Sequence, residues 1–492
     1  MSDHAGQAYR ALNEACGVFG IMNPESSSLG RTLYFGLYAL QHRGQESCGM
    51  AVYDNYQLRL HKEMGLVNQV FNDQLLESLH GQIGIGHTRY STTGASNLNN
   101  AQPVVVRTPF GALTLAHNGN LTNTEHLRTF LESQRYVAAG NSDSNLMAQY
   151  IQHQLSQAKT LQEAILETFN ACEGAFSVVM ATGDTLIAVR DRHGLRPFCM
   201  GQMPSGALVF ASETCALDIV GARYIRDIQP GEILIASMEE YYACLREHPE
   251  HHERALEKGV MQLFLNNPVP KEHLCIFETV YFARPDSQLQ GKSIYQYRLD
   301  LGRRLARISK EQQGDIQADI VIPVPDSGNV AAIGYSQESG IPFAEGLIKN
   351  RYVGRTFINP THELREQGIQ LKLNPLKDVL NGKNVVVVDD SIVRGNTSRN
   401  LIRMLRQCGV RRVHLRISSS PVKFPCFYGI DMSEPSQLIA NQLASVEAIR
   451  DYLEVDSLIY LTPQDMIDIA GLDTACTACF TGHYPAAAGE AG

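Results

Sequence analysis

The chain has 492 residues, 44% hydrophobic and 19% charged, which predicts roughly two or three domains with ample cores. Its formal charge of −9 argues against a non-specific binder of nucleic acid or of anionic membranes. No apolar run is long enough to span a bilayer, and Met1–Ala15 lacks the basic start and apolar stretch of a signal peptide.

A cytoplasmic protein is therefore expected, in which the eleven cysteines serve thiol chemistry or metal sites in preference to disulfides. Met1–Ala15 reads as a short mixed leader. Cys16–Ile21 is small and apolar and predicts a strand. A cysteine before a strand is, by itself, a small buried hydrophobe. Leu40–Glu46, with Gln41, His42, Arg43 and Gly44, follows a helical stretch. Gly84–Tyr90 closes a strand that carries Arg89 and runs on into Ser91–Gly94. Leu113–Ala116 leads into His117-Asn118-Gly119-Asn120, where Asn-Gly is also a hairpin-turn signal. Ser142-Asp143-Ser144 opens a helix with a capping residue in place. Arg190–Pro197 and Ala211-Ser212-Glu213 follow.

Ile233–Ser237 reads as the last strand of a first domain, and Met238–Lys258 as a charged helical connector. His248, His251 and His252 invite a metal reading. Pro249 breaks their spacing and no firm third ligand lies near, so a solvated connector is expected.

In the second half, Tyr281–Ser287 precedes a helix through Leu301, Leu305 and Ile308. Ile320–Val324 is a buried strand ending in the polar turn Pro325-Asp326-Ser327. Lys349–Thr356 is a basic, glycine-containing loop. Four valines, Val385–Val388, predict a strand buried on both faces. Asp389, Asp390, Ser391, Arg394, Gly395, Asn396, Thr397 and Ser398 come next, then a helix that stops near Gly409. Loop N–H groups and a helix N-terminus attract an anion, and Gly395 lets the backbone come close to it. Adjacent carboxylates suit ribose hydroxyls and a hard cation such as Mg²⁺. Cys476 and Cys479 form a CxxC pair, open by itself to zinc, iron–sulfur or redox use.

Val386–Ser398 resembles the phosphoribosyl-pyrophosphate (PRPP) loop of type I phosphoribosyltransferases, and its wording resembles that of the glutamine PRPP amidotransferase family. The motifs between Cys16 and about Gly231 resemble that family's N-terminal-nucleophile (Ntn) glutaminase domain. The resemblance implies an α+β half of four αββα layers joined to an α/β half with a parallel sheet. It divides the chain into a propeptide 1–15, a glutaminase domain 16–245, a connector 246–275, a phosphoribosyltransferase domain 276–470 and a tail 471–492.

The same resemblance implies roles. Cys16 attacks the glutamine amide, Asn118 and the Gly119 N–H form the oxyanion hole, Arg89 holds the α-carboxylate, and Gly44 and Asp143 hold the α-amino group. A free α-amino group on Cys16 would serve as base, which requires cleavage after Ala15. Asp389 to Ser398, with Lys349, Arg351 and Arg355, would bind PRPP, and Ser327, Asp389 and Asp390 one Mg²⁺ per subunit. Asn396 departs from the pattern, where Thr is commoner. Cys275, Cys426, Cys476 and Cys479 match the ligands of one [4Fe–4S] cluster per subunit. A homotetramer inhibited by purine nucleotides is implied, with glutamine and PRPP as substrates. Another amidotransferase acceptor, or a PRPP-sensing regulator without catalysis, are the rival readings.

Overall fold

The computed structural model describes residues 16–23, 29–90, 97–136, 142–247, 252–267, 269–350, 373–430, 432 and 434–486. The expected propeptide 1–15, His248, Pro249 and His251 of the connector, and Arg351 and Arg355 of the basic loop lie outside the described residues.

Two antiparallel sheets stack in the first half. One runs β11 (Arg223–Asp227), β9 (Cys199–Gln202), β10 (Leu208–Ala211), β1 (Gly17–Met22), β4 (Ile83–Arg89), β2 (Ser47–Asp54), β3 (Gln57–Met64). The other runs β13 (Val260–Phe264), β12 (Glu232–Ser237), β8 (Thr185–Arg190), β7 (Gly174–Ala181), β6 (Gly111–Leu121), β5 (Val104–Thr108). Their facing sides interdigitate through Val18, Ile85, Ala116, Val179 and Phe210. The Leu29–Ala39 helix packs on the outside of the first sheet, and the Asp143–Ser156 and Leu161–Ala171 helices on the outside of the second. This is the expected αββα order. Cover on both faces explains why β1, β4 and β7 are buried at every residue and do not alternate.

The first domain reaches past the boundary expected at residue 245. β13 pairs with β12 from Val260↔Ala236 to Phe264↔Glu232, so part of the 246–275 connector is a sheet edge. The short Val-Met-Gln-Leu-Phe run, with one polar residue, gives no period-two signal of an edge strand.

The second half holds a parallel sheet ordered β16 (Ile320–Pro323), β19 (Asn384–Asp389), β20 (Arg412–Ile417), β21 (Ser457–Tyr460). One face is covered by the Ile294–Gln313 and Asn329–Ser339 helices, the other by the Asn396–Gln407 and Val446–Leu453 helices. Val385–Val388 are fully buried between them, as four consecutive valines predict. Parallel strands align their carboxyl ends, so the Pro325–Gly328 turn after β16 and the acidic turn after β19 share one sheet edge. The Val324 N–H donates to the Val388 carbonyl at 2.9 Å and locks the two turns together.

Candidate functional site

Cys16 stands at the start of β1, beside the end of β4, with Gly17 opposite Thr88. Its thiol is buried and lies 3.5 Å from the Tyr90 carbonyl. Burial pushes the thiol above its ordinary value, and the charges of Asp143 and Glu46 add to that, while the Tyr90 carbonyl contact and the Arg89 charge oppose it. Arg89, from a strand, and Asp143, from a helix, therefore act on the same sulfur. Arg89 ends β4, opposite Ser47 of β2, and is buried with a guanidinium nitrogen 3.8 Å from Glu46. A Cβ on Gly44 would lie 2.6 Å from the Arg89 nitrogen, so only glycine lets this loop close on β4. The Gly44 carbonyl accepts a hydrogen bond from the Gln41 carboxamide.

Asn118 and Gly119 lie inside β6, not in a hairpin turn, paired with Ser177 and Phe176 of β7. The Asn118 side chain is fully buried, yet neither its oxygen nor its nitrogen finds a hydrogen-bond partner among the described residues. An unmet buried amide costs about 1–3 kcal/mol and calls for an explanation. Gly119 sits at φ +147°, and a Cβ there would meet the Ala175 carbonyl oxygen at 2.1 Å.

Asp143 is the first residue of its helix, behind the Ser142 cap. It accepts from the N–H groups of Leu121 at 3.2 Å and Ser144 at 2.7 Å. Burial would raise its carboxyl, but the nearby His117 ring and these hydrogen bonds outweigh it and hold the group below its ordinary value. It is a buried anion. His117, to which the sequence assigns no role, ties this centre together. Its ring lies 3.6 Å from Asp143 and 3.3 Å from the Ser144 hydroxyl, and its carbonyl accepts from His87 Nε2 at 3.0 Å. His87 belongs to β4, so this last bond joins the two sheets. Its signal in the sequence was only its place before Asn-Gly.

The sequence also passed over a buried charge web. Arg43 Nε holds the Cys16 carbonyl at 3.0 Å, and its terminal nitrogens bond Glu213 and Glu278. Arg196 Nη1 donates to the same Glu278 oxygen at 2.9 Å.

At the second sheet edge, Asp390 is buried, its N–H donating to Asp389 Oδ1 at 2.9 Å, and the Ser391 hydroxyl donates to Asp390 Oδ2 at 2.6 Å. Burial and the Asp390 charge push the Asp389 carboxyl well above the usual carboxylate range. Two carboxylates in contact hold a proton between them until a cation relieves them. Gly395, at φ +79°, turns the chain into the Asn396–Gln407 helix, whose first turn carries Asn396, Thr397 and Ser398. The N–H groups of a helix's first turn have no partner within the helix and favour an anion. The Tyr452 hydroxyl bonds the Asn396 carboxamide oxygen at 3.1 Å. Ser327 lies in the adjoining turn, and Lys349, at the end of β17 (Leu347–Lys349), pairs with Asp326 of that turn. Arg394 lies between Asp390 and Gly395, half-buried.

Cys275 and Cys476 form an isolated parallel bridge, with Ile276 N–H to the Cys476 carbonyl at 3.1 Å. The Cys479 carbonyl accepts from Lys423 and Phe424, which draws Cys426 to the same place. Burial pushes the Cys275 thiol up to about 12 and those of Cys476 and Cys479 well above their ordinary value, and each feels the other cysteines' charges. Among the described residues no three His, Cys, Asp or Glu side chains are gathered closely enough to hold a metal ion. The buried Cys275, Cys476 and Cys479 and the half-buried Cys426 lie in neighbouring segments joined by these bonds, and their soft donors are of the type an iron–sulfur group takes.

Residues 87–218 match the glutamine amidotransferase domain and residues 290–419 the phosphoribosyl transferase domain. The amidophosphoribosyltransferase of Synechococcus elongatus is 48% identical over 97% of this chain and 92% of its own length, and that of Mycobacterium bovis 46% identical over 97% and 88%. The Bacillus subtilis glutamine PRPP amidotransferase solved with ADP and GMP superposes with a TM-score of 0.85, at 41% identity, over 96% of this chain and 98% of that one. On likeness of this extent the chain belongs to the amidophosphoribosyltransferase family.

Proposed function

We propose that the protein hydrolyses glutamine at Cys16 and passes the ammonia to PRPP, giving 5-phosphoribosylamine, pyrophosphate and glutamate, the first committed step of de novo purine (IMP) synthesis. The observation that carries this reading is the Asn118 carboxamide, buried and without a hydrogen-bond partner among the described residues, on the strand whose Leu121 N–H holds Asp143, the carboxylate whose charge reaches the Cys16 thiol. A core has no use for such a group; an oxyanion does.

Arg89 takes the substrate's α-carboxylate, and the Asp143 carboxylate with the Gly44 carbonyl takes its α-ammonium. The α-amino group of Cys16, freed by cleavage after Ala15, accepts the thiol proton. The sulfur bonds the amide carbon, and the oxygen takes the π electrons and accepts hydrogen bonds from Asn118 and the Gly119 N–H. The C–N bond then breaks, with the proton delivered to the leaving ammonia, and water cleaves the thioester to glutamate.

In the second half, the first turn of the Asn396–Gln407 helix with Ser391 and Arg394 holds the 5-phosphate. The Asn396 oxygen is taken by Tyr452, so its amide donors face the anion. Lys349, Arg351 and Arg355 answer the pyrophosphate charge. Ammonia bonds the anomeric carbon as the C–O bond to pyrophosphate breaks, through a cationic sugar that Asp389 and Asp390 stabilise. Ser327, Asp389 and Asp390 would hold one Mg²⁺ per subunit, which supplies charge neutralisation of the leaving pyrophosphate when bound. The bound cation also accounts for two touching carboxylates. Cys275, Cys426, Cys476 and Cys479 would hold one [4Fe–4S] cluster per subunit, in a structural role.

We read domains at 16–245 and 276–470, the first extended by its β13 edge, and a homotetramer in the cytoplasm restrained by purine nucleotides. The ADP and GMP of the Bacillus subtilis complex support the last point. No helix among the described residues is long and apolar enough to cross a membrane.

The test is pyrophosphate release from PRPP and Mg²⁺, with glutamine, with ammonium, and with neither. Release that needs one nitrogen donor, and a Cys16→Ala variant that works only with ammonium, is the expected result. Glutamate formation without PRPP consumption would point to another acceptor and overturn the synthetic half.

A further inference from the structure

We propose that Phe427–Gly429, in the C-terminal half, braces the oxyanion pocket of the glutaminase half, which makes Gly429 a positioning residue for glutamine hydrolysis. The proposal rests on the glutaminase reading above.

Three consecutive residues of this segment grip three points around the pocket. Asn120 Nδ2 donates to the Phe427 carbonyl at 2.9 Å. The fully buried Arg196 donates twice to the Tyr428 carbonyl, from Nη2 at 2.6 Å and from Nε at 3.1 Å. Gly429 then lies against Gly119 itself, where a Cβ on Gly429 would come within 3.1 Å of both the carbonyl carbon and the carbonyl oxygen of Gly119. On its other side, Gly119 is closed off by the Ala175 carbonyl. Gly119 is thus held between two walls, one from its own sheet and one from more than three hundred residues along the chain, so its backbone is fixed on the carbonyl side and with it the direction of its N–H.

That residue needs holding. Gly119 has no side chain to anchor it and sits at φ +147°, a conformation glycine leaves at little cost. Its N–H and the Asn118 carboxamide have to point at one oxygen, and a fixed aim is what such donors contribute to the barrier. Gly429 itself sits at φ +104°, so any side chain there adds backbone strain as well as the contact with Gly119. Ground-state binding of glutamine uses other groups, Arg89 and Asp143. Loosening the brace therefore acts on the tetrahedral intermediate and leaves the Michaelis complex intact.

The experiment compares full-length wild type with Gly429→Ala and Asn120→Ala. Glutaminase kcat and KM, ammonium-dependent synthesis, and alkylation of Cys16 by iodoacetamide, followed on its peptide by mass spectrometry, are measured together. Alkylation forms no oxyanion, so it reports the thiol alone. Gly429→Ala is expected to lower kcat at least about tenfold, against roughly 10²–10³ for outright loss of an oxyanion donor. KM, the alkylation rate and ammonium-dependent synthesis stay within about twofold of wild type. Asn120→Ala shows the same split to a smaller extent, and decides the matter alone if Gly429→Ala does not fold. Wild-type kcat in the folded variants overturns the proposal, as does a fall in alkylation and ammonium-dependent synthesis equal to the fall in kcat. Glutamine hydrolysis that survives Cys16→Ala would sink the glutaminase reading, and this proposal with it.

Discussion

Arg43 joins the two halves of the chain: Nη2 donates to Glu278 at 2.8 Å while Nε holds the Cys16 carbonyl at 3.0 Å. Glu278 bonds Arg196 through the same oxygen, and its second carboxylate oxygen is buried without a partner among the described residues. Burial works against the Arg43 charge, but Glu278 and Glu213 outweigh it and raise the guanidinium above its ordinary value. The backbone of Cys16 is therefore positioned, through Arg43, by a carboxylate from the second half.

Removing one member of a buried ion web strands the others, which costs about 3–5 kcal/mol. Glu278→Ala is expected to lower stability by that amount in urea denaturation, and Glu278→Gln by less, since it keeps an acceptor for Arg43 and Arg196. An unchanged midpoint in both variants would show that the web is not what holds the halves together.

Glu213 gives the web a pH signature. Burial would raise its carboxyl, but His42, Arg43 and the Arg284 N–H hold it well below its ordinary value of 4.5. The unfolded chain then binds the proton first as pH falls, so the stability Glu213 contributes is complete above about pH 5 and is lost below it. Asp191 and Asp227, pushed up to about 6 by burial, tilt the other way: their contribution is lost as pH rises from about 4 to 6. The difference between wild type and Glu213→Gln isolates the first effect. It is expected to be largest at pH 7 and to close towards pH 3, and a constant gap would contradict the assignment.

The carboxylate pair at the second site yields a different expectation. Asp390→Asn removes one charge from the pair, relaxes the raised Asp389 carboxyl and weakens the hold on a cation. Synthesis is expected to fall about 10²-fold with glutamine and with ammonium alike, while Cys16 alkylation is unchanged. Equal activity with ammonium would remove Asp390 from the synthetic step.

Local signals made much of this legible. The Val385–Val388 run had one sensible fate, a strand covered on both faces, and Ser142 marked its helix start to the residue. Asn118-Gly119 was ambiguous, because Asn-Gly favours a turn and only the pairing of β6 with β7 keeps it extended. The Arg43–Glu278–Arg196 web was invisible for another reason. Each residue sits in an ordinary local context, and its partner lies 82 or 235 positions away. Long-range charge pairing leaves no periodicity to read. The β13 edge was lost because sheet membership belongs to the partner strand as much as to the sequence of the strand itself.

The four cysteines give the last expectation. Cys275, Cys476 and Cys479 are buried thiols whose ionisation is opposed first by burial and then by nearby negative charge, Glu278 at Cys275 and neighbouring cysteines at all three. A cationic centre would reverse both, drawing off the thiol protons and turning repulsion into ligation. Protein purified without oxygen is expected to be brown, with about four iron and four sulfide per chain. Cys476→Ser and Cys479→Ser should lose both the colour and the iron, and Cys408→Ser neither. The bridge between Cys275 and Cys476 ties the C-terminal segment to the start of the second half, so loss of the cluster should also raise proteolytic cleavage near residue 480. A colourless, iron-free protein that resists proteolysis as well as the parent would show that the cysteines pack as thiols and hold nothing.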